Sequence, residues 1–202
     1  PTRGFLVTEY SSGPDDVGVY ANANRLLNEG ASGGLVWQGV DTNIEYRHNT
    51  ADNDGWGMLD ETTSGVFAAR QSFYNAAGFY KFVKPGMVRF QATESNGSLT
   101  THAFTNSSTG DVTIIGQNTG GAISYNGSFA NGSVFNGTLQ FYYATSGGSV
   151  RGADVSVVNG VFSAPISAGR IFTLTGRLSA ATDTTAPVIS GVGSSGITAS
   201  GA

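Results

Sequence analysis

Two kinds of apolar spacing divide the chain near residue 85. Before that point, unbroken apolar runs alternate with stretches of helical spacing. Gly4 to Tyr10 (GFLVTEY) is a short apolar run ending in polar residues, the pattern of a buried parallel strand. Val17 to Glu29 places apolar residues at Val17, Tyr20, Ala21, Ala23, Leu26 and Leu27, which predicts an amphipathic helix. Gly30 follows, where a left-handed cap is common. Gly34 to Val40 (GLVWQGV) predicts a second buried strand, and Asp41 to Thr63 a long polar loop. Ser64 to Val83 predicts a second helix, stopped by Pro85. Strand, helix, strand, loop, helix is the order of parallel strands joined by crossover helices.

From Gly86 onward the spacing becomes two. Met87 to Thr93, Leu99 to Thr105, Val112 to Gln117, Leu139 to Ala144, Val155 to Val158 and Arg170 to Thr175 all alternate, with Gly, Asn and Ser turns between them. That rhythm predicts an antiparallel β-sandwich. The reading therefore places an α/β unit at 1–84, an all-β sandwich at 85–178, a Thr-rich linker at 179–187 and the first strand of a further module at 188–202.

Composition agrees with a turn-rich β protein. Of 202 residues, 39% are hydrophobic and only 12% charged, against roughly 25% charged in an average globular domain. The net charge is −4 and no basic stripe exists, so nucleic acid and anionic membrane are poor partners. No apolar run is long enough to span a bilayer. Cysteine is absent, which excludes a disulfide or a thiolate zinc site. Low charge with abundant Ser, Thr, Asn and Gly suits a secreted bacterial protein. The chain opens at Pro1 without a leader and reads as a piece of a longer polypeptide, with targeting information upstream.

The candidate chemistry gathers at strand ends. Glu9 closes the first buried strand, beside Thr8 and Tyr10, and in parallel α/β folds active sites form at the carboxyl ends of strands. The second strand ends with Trp37 and Gln38, an aromatic face and an amide suited to a sugar. The loop beyond adds Asp41, Asn43, Glu45, Tyr46, Arg47, His48, Asp54 and Trp56, and long irregular loops are usually functional. Asp60 and Glu61 mimic a catalytic carboxylate pair, but they precede the second helix and suit its N-terminal charge. Glu94 reads as exposed. Asn96, Asn106, Asn126, Asn131 and Asn136 head Asn-x-Ser/Thr triplets that read as turns. Strand core accounts for alternate members of Phe141-Tyr142-Tyr143.

Three segments carry a family resemblance: Phe5-Leu6-Val7-Thr8-Glu9-Tyr10, Ala31-Ser32-Gly33-Gly34-Leu35-Val36-Trp37-Gln38 and Phe79-Tyr80-Lys81-Phe82-Val83-Lys84-Pro85-Gly86. In this order they resemble the end of a clan A glycoside hydrolase, of the family 30 type or its family 5 and 39 relatives. The resemblance implies the last two βα units of a (β/α)8 barrel, followed by a side β-sandwich. It implies Glu9 as the nucleophile of a secreted, retaining enzyme and Trp37 as the floor of the subsite for the attacked sugar. Tyr10, Gln38, Asp41, Tyr46, His48 and Trp56 become substrate contacts. No metal or cofactor is called for. The acid/base partner, about 5–5.5 Å from the nucleophile in retaining enzymes, belongs to the fourth barrel strand, which these residues do not include. The resemblance thus implies a missing N-terminal barrel of the same polypeptide and an inactive fragment. Residues 183–198 resemble the start of a fibronectin type III-like module. A non-catalytic carbohydrate-binding protein and a cell-surface β protein remain the alternatives.

Overall fold

The computed structural model describes residues 5–11, 18–37, 39–41, 57–129 and 135–180. The first part holds strand β1 (Phe5–Ser11), helix α1 (Gly18–Asn28) and strand β2 (Ala31–Trp37). β1 and β2 pair in parallel, as the strand–helix–strand order requires. Gly30 takes φ +91° and donates its N–H to Leu27 O at 3.1 Å, the cap expected at that position.

The next stretch departs from expectation. The helix expected over 64–83 begins at Gln71 and runs to Phe82 (α2). Residues ahead of it form a small sheet of β3 (Val40–Asp41), β4 (Leu59–Thr63) and β5 (Val66–Ala69), in the order β3-β4-β5. Gly65 turns the hairpin at φ +77°, and its N–H donates to Glu61 Oε1 at 2.7 Å. Val66 and Phe67 then suit a strand better than a helical turn. Apolar spacing alone does not separate a short strand from a helical segment. Asp60 and Glu61 therefore lie on β4 and not in the first turn of a helix. Asp60 pairs with Arg70 at 3.5 Å, just ahead of α2.

The β-rich part contains β6 (Val88–Phe90), β7 (Leu99–Asn106), β8 (Asp111–Asn118), β9 (Ile123–Ser128), β10 (Phe135–Thr145), β11 (Gly148–Arg151), β12 (Val155–Val157), β13 (Val161–Ile166) and β14 (Ile171–Ala180). Seven of these form one sheet in the order β11-β10-β14-β8-β7-β6, with β12 also on β10, while β9 and β13 pair apart. β9, β11 and β13 were not signalled by the alternation. Pro165 sits within β13, where its missing N–H is tolerated because, among the described residues, β9 is the strand paired with it at that position. β14 extends to Ala180, so residues 179 and 180 of the Thr-rich stretch belong to the sheet. Residues 181–202, including the expected further module, lie outside the described residues.

The large sheet is covered on both faces. Leu99, Val112, Ile114, Phe141, Phe172 and Leu174 pack with Phe162, Ala164 and Ile166 of β13. On the opposite face Phe104, Ile115 and Ile171 pack with Tyr20 of α1, alongside Phe79 of α2. Burial therefore runs unbroken from Val112 to Gly116. Gly78 permits the close approach of α2: a methyl there would lie 2.9 Å from Thr173 Oγ1. Thr113 Oγ1 donates to Phe82 O at 3.0 Å, so the sheet also binds the carbonyl at the helix end. The two parts are thus packed together through the helices.

Candidate functional site

The register of β1 on β2 explains how Glu9 is presented. Phe5 lies opposite Ala31 and Ser11 opposite Trp37, but the intervening pairs are Leu6–Gly33, Val7–Gly34 and Tyr10–Val36. β2 spends one extra residue at Ser32. β1 spends one extra at Thr8–Glu9, where two residues face Leu35 alone. That is a β-bulge, a device that re-aims a side chain.

Its effect shows in the neighbours of each residue. A methyl at Gly33 would lie 3.2 Å from Leu6 Cδ1; a methyl at Gly34 would lie 2.9 Å from Tyr10 Cε1 and 3.6 Å from Leu26 Cδ1. Gly33 and Gly34 point to opposite faces of the strand. Leu6 and Tyr10, four residues apart, thus lie on opposite faces, which a regular strand would not allow. Tyr10 faces the helices, and its hydroxyl lies 3.3 Å from Tyr80 Oη on α2. Burial, then the Tyr80 bond, push the Tyr10 phenol well above its usual range. Tyr10, expected as a sugar contact, has its hydroxyl against Tyr80 of α2.

Glu9 is exposed at the carboxyl end of β1. Every other carboxylate whose side chain is described has a partner. Glu29 pairs with Arg25, Asp60 with Arg70, Asp111 with Arg177 and Asp154 with Arg151. Glu61 accepts from the Gly65 amide, and Glu94, exposed as expected, accepts from the Thr101 amide and hydroxyl. Glu9 makes no hydrogen bond or ion pair with another described residue. An unpaired carboxylate at a parallel strand end is available to a ligand or to a second acid.

Of the other expected site residues, the backbone of Trp37 ends β2 opposite Ser11, beside the strand that carries Glu9. The backbone of Asp41 pairs β3 with Asp60 of β4. Gln38, Tyr46, His48 and Trp56 lie outside the described residues. Around the strand pair, Leu6 is 61% exposed, Leu35 59% and Phe5 45%, an apolar surface with no described cover.

Residues not singled out from the sequence tie the site to the sheet. Tyr20, fully buried on α1, donates its hydroxyl to Thr100 O at 3.1 Å on β7. One helical turn on, Asn24 Oδ1 lies 2.7 Å from His102 Nε2. The only sequence signal is that the pairs share spacing: four residues on α1 and two on β7.

No protein-family profile matches the sequence, and no curated protein matches it. Solved structures do. A GH30 endoxylanase from Clostridium papyrosolvens C71 aligns with a TM-score of 0.67 at 23% identity, over 87% of this chain and 42% of its own. The GH30 subfamily 8 xylanase Xyn30A from Clostridium acetobutylicum gives 0.67 at 17%, over 87% and 43%. A GH51 arabinofuranosidase from Xanthomonas axonopodis pv. citri gives 0.56 at 11%, over 83% and 36%. The chain spans about two fifths of the length of these xylanases. At such identities the likeness is one of fold. It extends over both the strand–helix part and the β-rich part, because neither part alone reaches that coverage.

Proposed function

We propose that this chain is the C-terminal part of a secreted, retaining glycoside hydrolase acting on a β-linked polysaccharide, and that Glu9 is its nucleophile. The observation that carries the reading is the exposed Glu9 carboxylate, without a partner among the described residues, at the carboxyl end of a parallel strand and set at a bulge. The likeness in fold to GH30 xylanases supports it and makes xylan the first substrate to test.

In this scheme a Glu9 oxygen attacks the anomeric carbon while an acid from an upstream strand protonates the leaving oxygen. A glycosyl ester forms on Glu9. The upstream group, now a base, deprotonates a water that breaks the ester and restores the original anomeric configuration. Trp37 floors the attacked sugar, and Gln38, Asp41, Tyr46, His48 and Trp56 bind its hydroxyls or its neighbours. Every step uses carboxyl groups and water alone. Residues 1–202 supply one of the two carboxyl groups, so by themselves they should not turn over substrate.

The test uses the longer polypeptide that contains this chain. Glu9→Ala should lose several orders of magnitude in kcat on xylan. Azide, small enough to enter the vacated space, should restore turnover and yield the glycosyl azide of inverted configuration. Full activity in Glu9→Ala would overturn the assignment. Polysaccharide binding by residues 86–176 with no hydrolysis by the longer polypeptide would favour a non-catalytic binding protein.

A further inference from the structure

The bulge, the Gly34 contact and the Tyr10–Tyr80 pair form a continuous path from the large sheet to Glu9. α2 is fixed on the sheet at three points. Thr113 binds its terminal carbonyl, Gly78 seats it against Thr173, and the Phe82 ring lies 4.7 Å from the Tyr142 ring. Tyr80 projects from this anchored helix to the Tyr10 hydroxyl. Tyr10 is the residue after Glu9, and its ring covers Gly34 on the neighbouring strand. The bulge turns Tyr10 toward the helices and so leaves Glu9 on the segment that faces Leu35.

We infer that Tyr10 and Tyr80 are positioning residues for the Glu9 carboxylate, through which the β-sandwich sets the geometry of the nucleophile. The inference rests on the reading of Glu9 given above. Neither tyrosine touches substrate in this account. They hold the backbone of β1 at one height against β2 and α2, so that the carboxylate meets the anomeric carbon at attack distance. Nucleophilic attack is sensitive to such placement: an error of about 1 Å costs on the order of a hundredfold in rate. A sandwich packed to position a catalytic strand differs from an appended binding module, which would leave kcat unchanged when its contacts were cut.

The experiment compares Tyr10→Phe, Tyr80→Phe, the double variant, Gly34→Ala and Glu9→Ala in the longer polypeptide, on xylan, β-1,6-glucan and β-1,6-galactan. Each phenylalanine variant should lower kcat about tenfold while KM stays within about twofold. The double variant should be no worse than either single, because both remove the same bond. Gly34→Ala keeps both hydroxyls but displaces the Tyr10 ring, and should show the same loss confined to kcat. Melting temperatures of the phenylalanine variants should stay near the parent's. The inference alone is overturned if Glu9→Ala is inactive and rescued by azide while both phenylalanine variants retain the parent kcat. It is equally overturned if the two losses multiply or fall on KM. Retained turnover in Glu9→Ala, or no turnover by the parent on any of the three glycans, overturns the inference together with the reading of Glu9.

Discussion

His102 on β7 and Asn24 on α1 meet with Nε2 and Oδ1 2.7 Å apart, inside the seam between the first helix and the large sheet. His102 is almost fully buried there. Burial, followed by the Arg89 charge and opposed by Glu94, lowers its pKa from 6.5 to about 4. The imidazole is neutral in the folded chain and donates from Nε2 to the amide oxygen. Between pH 6.5 and 4 the unfolded chain therefore binds more protons than the folded one. The contribution is complete above pH 6.5 and is lost as the pH falls toward 4, by up to about 3 kcal/mol. Denaturant unfolding of His102→Gln against pH should flatten this acid-side slope. An unchanged slope would show that other groups govern it.

Gly116 on β8 lies under the Phe172 ring. A methyl there would approach Phe172 Cζ to 2.5 Å and Thr100 O to 2.9 Å, whereas one at Gly121 would meet nothing within 4 Å. Gly116→Ala should therefore cost about 1–3 kcal/mol of unfolding free energy, and Gly121→Ala less than about 0.5 kcal/mol. Equal midpoints for the two variants in denaturant would contradict the packing.

Leu6 and Leu35 are both more than half exposed on one side of a two-stranded parallel sheet. Apolar surface beside unpaired strand edges promotes association. Light scattering of residues 1–202 should show oligomers that dissociate in a Leu6→Ser/Leu35→Ser variant, with the melting temperature unchanged. A monomeric parent chain at the same concentration would argue against association through this face.

How far the sequence led can be judged from particular elements. β1, α1 and β2 followed as elements from apolar runs and the Gly30 cap, because a left-handed glycine ends a helix whatever lies around it; the expected burial of the strands did not follow, since Phe5, Leu6 and Leu35 are exposed among the described residues, and β2 begins at Ala31 and not at Gly34. Glu9 was legible because a carboxylate closing an apolar run is conspicuous. β5 was misread, because a four-residue strand before a helix has no spacing of its own. β9 and β13 were missed because Asn126, Gly127 and Pro165 argue against strands, an argument that fails in a two-stranded sheet with free edges. In Asn96 and Asn106 the turn reading holds: their Oδ1 atoms accept from the Ser98 and Ser108 amides. Tyr80, Asn24 and His102 were illegible as partners. Their contacts join residues 70 to 78 apart, and single-sequence spacing holds no information about such distances.

The proposed attack of Glu9 on the anomeric carbon leaves a covalent glycosyl ester on that residue. Its most direct test is trapping of the covalent intermediate. The longer polypeptide is treated with a 2,4-dinitrophenyl 2-deoxy-2-fluoro-β-xylobioside, whose electron-withdrawing fluorine slows both formation and breakdown of the glycosyl ester while its good leaving group restores fast formation, so that the ester accumulates. Digestion and tandem mass spectrometry then locate the adduct. One equivalent of fluoroxylobiosyl ester should appear on Glu9, and none in Glu9→Gln. A label on a different carboxylate, or hydrolysis with inversion and no adduct, would contradict it.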